Sequence, residues 1–391
     1  NKSTKIEICN FNPPEGGLSA DQHPQNSRVS QAYTIKRTII VSRLRAFTTM
    51  KLTNLTANRK TGEYTRNPSK HVGTDGGTLV VEPGRYHLHI ALACPWACGT
   101  LSMLQLKGLE EAVTVSVVHP TWQRTKPGVD EDTHCGWVYK NEGDPPLANP
   151  LGHGSFVCDS GLRPDIYTHA ASVRDVYEAV GDFDGPFTTP CLVDKTSGAI
   201  VSNESMEILS ILHDDFAPLH TRNVGLDLYP EAKDAELRAL NESVVYPNIN
   251  NGVYRSGFAR SQKAYDSAVT GLFSALETIE ARLASSRFLG GDEFTWLDLR
   301  LFHTLVRFDP VYTCYFKTNV KRIEDFPNLL GFVRDVYAIE PIARSINMAH
   351  IKTHYYTSHA HLNTYGIIPA HNGPDLSLPH GRGPPIPGLQ A

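Results

Sequence analysis

At 391 residues the chain is longer than one ordinary compact core requires, so two domains are expected. Its 37 Lys and Arg against 41 Asp and Glu leave a formal charge of -4, with 40% hydrophobic and 20% charged residues. That balance fits a soluble globular protein and argues against a nucleic-acid or membrane-surface binder, and no apolar run approaches the ~18 residues of a membrane span.

Residues 1–50 carry seven Lys or Arg against three Asp or Glu and read as a basic, disordered N-terminal extension. A partial organelle presequence is the alternative reading of that stretch; otherwise the expected compartment is the cytoplasm. Residues 51–84, rich in Gly, Thr and Asn, read as loop. Alternation then predicts a strand from Arg85 to Ala93, and Pro95 opens a helix that runs to Lys107. A second strand is expected at Val113–Val118, a long loop from His119 to Asp165, and an amphipathic helix at Ser172–Val180. Strands at Thr189–Asp194 and Ala199–Val201 flank a turn at Lys195–Gly198, and a helix begins near Ser202–Ser205. This order is thioredoxin-like, α/β.

Strand signals vanish from about residue 226. Helical periodicity marks Ala232–Leu240, Ala264–Leu283, Trp296–Phe308 and Leu329–Ala338, and Thr295 with Asp298 forms a capping-box pattern. The expected organisation is an extension at 1–50, a thioredoxin-like domain with a loop insertion at 51–220, and an all-helical domain at 226–345. A C-terminal segment follows at 346–391, Pro/Gly-rich and disordered from Asn372.

Seven cysteines stand at Cys9, Cys94, Cys98, Cys135, Cys158, Cys191 and Cys314. The odd count, scattered spacing and lack of any C-x-x-C argue for free thiols in a reducing compartment, with no metal site of zinc-finger type. Cys94 is nucleophile, half of a disulfide, metal ligand or simple core thiol. Its place at the end of a strand and the start of a helix favours the nucleophile, because N–H groups at a helix start lower a thiol pKa. Cys98, one turn on, reads as packing: an i, i+4 pair on a helix has nearly parallel Cβ vectors, poorly suited to a bridge. Pro190 sits where thioredoxin-like folds hold a cis proline. Glu204 and Ser205 open a helix, either as plain caps or as holders of a ligand's charged end.

The stretches Arg85-Tyr-His-Leu-His-Ile-Ala-Leu-Ala-Cys-Pro-Trp-Ala97, Val201-Ser-Asn-Glu-Ser205, Asn248-Ile-Asn-Asn-Gly-Val-Tyr254 and Arg307-Phe-Asp-Pro-Val-Tyr312 resemble the Xi-class glutathione transferases, the glutathionyl-hydroquinone reductases. His134-Cys-Gly-Trp137 and His350-Ile-Lys-Thr-His-Tyr-Tyr356 extend the resemblance, which covers roughly residues 50–370. It implies a thioredoxin-like domain joined to a helical one, a homodimer, glutathione as co-substrate, and no metal or nicotinamide. By it, Cys94 attacks the sulfur of a glutathionyl-hydroquinone. Glutathione lies against Glu204 and Ser205, pairs with Thr189 beside Pro190, and is flanked by Trp137. Tyr254 and Tyr355 face the aromatic substrate, with Tyr356 as the neighbour of Tyr355 and Tyr312 read as structural. Two positions depart from the family pattern: Cys98, commonly His or Ser there, and Thr189-Pro190-Cys191, commonly Val-Pro-Val. Dehydroascorbate reduction or general thiol transfer, as in the Omega class, and a non-catalytic binder on the same scaffold are the rival functions.

Overall fold

The structure, a computed structural model, describes residues 51–52, 56–58, 60–73, 79–386 and 389. The basic extension expected over 1–50 lies outside them. The stretch read as loop contains three two-residue strands, β1 (Lys51–Leu52), β2 (Thr56–Ala57) and β3 (Tyr64–Thr65). β2 and β3 pair antiparallel. Gly62 between them has φ of +76°, and a Cβ there would lie 2.8 Å from the backbone nitrogen of Ser261, so no other residue fits that turn.

The sheet expected from the alternating segments follows: β4 (Tyr86–Ile90), α1 (Pro95–Leu106), β5 (Val113–Val117), β6 (Gln123–Arg124), β7 (His134–Gly136), α2 (Val173–Ala179), β8 (Cys191–Asp194), β9 (Ile200–Ser202) and α3 (Ser205–Ser210). Four of these strands form one sheet in the order β5-β4-β8-β9. β4 runs parallel to β5, while β8 is antiparallel to β4 and β9, the thioredoxin-like arrangement. Side chains alternate across β4. Leu88 and Ile90 enter the large core that includes Ala97, Leu101 and Leu104 of α1. Cys191 and Val193 of the neighbouring strand enter a smaller core with Val173, Val176 and Tyr177 of α2. The loop from His119 to Asp165 is not wholly irregular: β6 and β7 pair within it, and β7 also pairs with β1.

The remainder is helical: α4 (Glu231–Leu240), α5 (Gly252–Gly257), α6 (Gln262–Ser285), α7 (Trp296–Leu305), α8 (Pro327–Tyr337), α9 (Glu340–Ala343) and α10 (Met348–Ser358). In α6 the buried positions Ala264, Ala268, Leu272, Leu276, Ile279 and Leu283 recur every three or four residues and form one stripe. Asp298 accepts from the backbone N–H and hydroxyl of Thr295 at 2.9 and 2.7 Å, so that pair is a helix cap. α7 stops three residues short of the expected Phe308, and the chain continues through a π-helical turn, Phe308–Tyr312. A longer π-helical stretch, Asn241–Asn250, contains Pro247, whose missing N–H interrupts the ordinary ladder. α10 has no clear apolar stripe to read, because His350, Ile351, Lys352, His354, Tyr355 and Tyr356 are all buried.

The tail expected to be disordered has no helix or strand through Ile386, yet it is tied down. Arg382 donates to the carbonyls of Leu283, Ser286 and Arg287 at 2.9, 2.6 and 2.9 Å, satisfying acceptors that α6 leaves free at its end. Among the described residues no helix is long and apolar enough to cross a membrane.

Candidate active site

α1 begins where β4 ends, and the junction fixes Cys94. The chain leaves the strand through a turn in which the Cys94 N–H donates to Ala91 O at 2.9 Å, and Pro95 takes the first helical position. Cys94 is the N-cap residue, with extended φ and ψ of -77° and 119°. Its sulfur is half-buried and donates to the carbonyl of Thr189 at 3.4 Å. The Thr189–Pro190 peptide is cis. Burial pushes the Cys94 thiol above its ordinary range, and this outweighs the downward pull of the Ala97 N–H, Arg66, Arg307 and the Trp96 N–H. The expectation of a lowered thiol pKa therefore fails on balance: the helix start acts in the expected sense, but burial outweighs it.

A cavity of about 310 Å³ opens beside this sulfur. Cys94, Thr189, Pro190 and Trp137 line it, as do Glu204 and Ser205. Glu204 caps α3, its Oε1 accepting from the Met206 N–H at 3.2 Å and the Ser205 hydroxyl at 3.3 Å. Its Oε2 accepts from Ser69 at 2.9 Å. The Thr189 hydroxyl is buried without a partner. Trp137 stacks on His354 of α10, ring centroids 4.4 Å apart. The His354 ring is also hydrogen-bonded through Nδ1 to Pro120 O at 2.9 Å, and burial pushes its pKa down to about 3, so it is neutral.

Tyr254 and Tyr355 line the same cavity. Their hydroxyls are 2.7 Å apart, and the Tyr312 hydroxyl lies 3.1 Å from that of Tyr355. Tyr312, read as structural, thus ends a chain of three hydroxyls. Burial raises all three phenols above their ordinary range, so they stay protonated. Tyr356 turns the other way and donates to Pro310 O at 3.2 Å.

Cys98 is fully buried. It donates to Leu92 O at 3.0 Å, accepts from Arg307 Nη2 at 3.1 Å, and its thiol is pushed up to about 11, foremost by burial. Arg307, also fully buried, donates to Ala93 O at 3.1 Å, Leu92 O at 3.2 Å and His303 O at 2.6 Å, so it bolts α7 to the strand end that carries Cys94.

Sequence reasoning missed several residues of the cavity wall. Tyr64, Arg66 and Ser69 come from the stretch read as loop, while Trp96, inside the Cys94–Ala97 motif, and Tyr246 and Arg300, on helical segments, had been given no role in the site. Also missed was a buried set behind the sheet, His87, His89 and Asp165, whose ligand-type atoms lie within 4.8 Å of one another. Its members are largely engaged: His87 bonds Thr114 and Ser116 at 2.6 and 2.7 Å, His89 Nδ1 bonds Tyr139 at 2.7 Å, and Asp165 accepts from the N–H groups of Tyr167 and Thr168.

A half-buried thiol at a helix start, sharing one cavity with the phenols of Tyr254 and Tyr355, suits sulfur exchange with a ligand that has a peptide-like and an aromatic end. Residues 262–335 match the family described as "Glutathione S-transferase, C-terminal domain". Glutathionyl-hydroquinone reductase YqjG of Escherichia coli (strain K12) is 40% identical over 309 residues, 79% of this chain and 86% of that protein. A glutathione-bound structure of YqjG aligns with a TM-score of 0.68 over 78% of this chain and 89% of that one. Glutathionyl-hydroquinone reductase PcpF of Sphingobium chlorophenolicum is 38% identical over 322 residues, 81% of this chain and 92% of that protein. The glutathione-S-transferase Xi of Phanerochaete chrysosporium, 38% identical, aligns with a TM-score of 0.70 over 81% of this chain and 99% of its own. The chain belongs to the Xi-class glutathione transferases, the family of the glutathionyl-hydroquinone reductases.

Proposed function

We propose that this protein reduces glutathionyl-hydroquinones to hydroquinones at the expense of glutathione, through the thiolate of Cys94. The observation that carries this reading is the meeting of two features in one cavity: a helix-start thiol 3.4 Å from the Thr189 carbonyl, and the Tyr254–Tyr355 hydroxyl pair. The glutathione part of the substrate lies along Thr189 and Pro190, with its charged γ-glutamyl end at Glu204 and Ser205 and Trp137 at its flank. The aromatic part faces Tyr254 and Tyr355, whose protonated hydroxyls donate to its oxygens.

In the first half-reaction the Cys94 thiolate attacks the glutathione sulfur. A sulfur–sulfur bond forms, the carbon–sulfur bond breaks, and the electron pair of the broken bond stays with the aromatic part, which takes up a proton. A second glutathione thiolate then attacks the mixed disulfide at the glutathione sulfur, releasing oxidised glutathione and the Cys94 thiolate. Two glutathione sulfurs are oxidised and one aromatic carbon is reduced, so no other reductant enters. This chemistry needs a reducing compartment, and we place the protein in the cytoplasm as a homodimer.

Product analysis tests the reading. One hydroquinone and one oxidised glutathione should appear for each conjugate and each free glutathione consumed. Binding of glutathione with no hydroquinone released would leave a ligand binder in its place. Rapid turnover of dehydroascorbate or small disulfides, unaffected by removing the hydroxyls of Tyr254 and Tyr355, would leave an Omega-like activity.

A further inference from the structure

Two guanidinium groups line the cavity with no carboxylate paired to either one among the described residues: Arg66 and Arg300. The Arg66 carbon Cζ lies 5.0 Å from the Trp96 ring and 5.2 Å from the Tyr254 ring. Arg300 lies 5.0 Å from Trp96 and 4.8 Å from Tyr246. Each has a buried Nε without a hydrogen-bond partner. A cation withdrawn from water is costly unless an anion or strong dipole meets it, and aromatic faces supply only part of that. Glu204 is the one carboxylate on the described cavity wall, and its oxygens already take donors from Ser69, Ser205 and Met206.

The two arginines differ in their surroundings. Glu204 is the strongest opposite charge acting on Arg300, whereas Arg66 is acted on by the phenols of Tyr64, Tyr254 and Tyr246 and by Cys94. Arg66, packed against the Tyr254 ring and with no carboxylate among the charges acting on it, is thus the cation on the phenol-lined side, while Arg300 is the one influenced by Glu204.

We propose that Arg66 receives the oxygen anion that forms on the aromatic part of the substrate as its carbon–sulfur bond breaks, and so selects conjugates with an oxygen ortho to that bond. The inference rests on the reductase reading above. In the keto tautomer of the conjugate, the carbon bearing sulfur is tetrahedral and adjoins a carbonyl. Attack by the Cys94 thiolate forms the disulfide, and the electron pair of the broken bond flows into the ring and onto that carbonyl oxygen. The product is a phenolate, which takes a proton to become the hydroquinone. A fixed, partly desolvated guanidinium beside that oxygen stabilises charge that is absent in the bound substrate, which is what lowers a barrier.

The test compares Arg66→Met and Arg66→Lys with the native protein on two substrates: a glutathionyl-hydroquinone, and the mixed disulfide of glutathione with 2-mercaptoethanol. Both are attacked at the glutathione sulfur, but only the first generates an oxygen anion. Hydroquinone release should fall on the order of 10²-fold in Arg66→Met, at least about tenfold more than disulfide cleavage, with partial recovery in Arg66→Lys. Across ring-substituted conjugates, the loss should shrink as the phenol becomes more acidic. Equal losses on both substrates would overturn the proposal and make Arg66 an activator of the thiol alone; so would no loss on either. Near-ultraviolet circular dichroism confirms that each variant is folded. If the native protein releases no hydroquinone, the reductase reading itself fails. The anion preference is then read from Cys94 alkylation by iodoacetate relative to iodoacetamide, a ratio that should fall about fivefold in Arg66→Met. An unchanged ratio would overturn the claim for Arg66 independently of the reductase reading.

Discussion

Cys94 and Cys98 lie one helical turn apart on α1, yet their surroundings have little in common. Cys94 faces a cavity, sits ahead of the first turn, and has Arg66 and Arg307 acting on it. Cys98 points into the seam between the sheet and α7, where Leu92 O and Arg307 take up its hydrogen-bonding capacity. Both thiols are raised by burial, so pKa alone does not separate them. Access and partners do. A nucleophile needs a path for the incoming sulfur and room for the leaving group, and the cavity offers these to Cys94 only.

The widest gap between the two should appear in turnover. Cys94→Ser should lower hydroquinone release at least ~10³-fold, because an alcohol is far less ionised and less nucleophilic toward sulfur. Cys98→Ser should stay within about 3-fold of native in the same assay, since its sulfur touches no substrate. Comparable losses in both variants would erase the distinction.

Removing Arg307 attacks the seam instead. Arg307→Met leaves the carbonyls of Leu92, Ala93 and His303 without this donor, and should lower unfolding free energy by about 3 kcal/mol in denaturant titration. A loss below about 1 kcal/mol would mean that the guanidinium is dispensable to the joint between the halves.

Tyr254→Phe and Tyr355→Phe sharpen the Cys94 side. Each should reduce hydroquinone release by ~10–100-fold, while exchange with a small disulfide falls much less. The smallest effect is in the pH dependence of labelling. Because the Cys94 thiol lies above its ordinary range, the thiolate accumulates later as pH rises, and alkylation by iodoacetamide should have its midpoint above that of a free thiol. Arg66→Met should move that midpoint up again, since the charge of Arg66 favours the thiolate. Cys98 should stay unlabelled until the protein unfolds.

The positions that carried the sequence reading are those where backbone pattern and chemistry coincide. The alternation in Tyr86–Ile90, the Pro at the start of α1 and the Thr295/Asp298 cap are local signals, and the structure forms each of them locally. The thioredoxin-like order and the helical half followed from such signals. The cavity wall was only partly legible. Arg66 and Ser69 belong to a stretch with almost no regular structure, and they reach the site through tertiary packing against Trp96, Tyr254 and Glu204. α10 was hidden for the opposite reason: it is buried nearly all round with polar residues, so it lacks the stripe that marks a surface helix. The balance at Cys94 was also out of reach, since the burial that raises its thiol depends on a cavity wall assembled from residues far apart in the chain.

The most direct test of the account is to mix the native protein with one equivalent of a glutathionyl-hydroquinone in the absence of free glutathione, then measure intact mass, map the modified peptide and quantify hydroquinone. One hydroquinone should be released and one glutathione held in disulfide linkage per chain, mapped to Cys94. Hydroquinone released without an adduct, or an adduct mapped to Cys98, would contradict it.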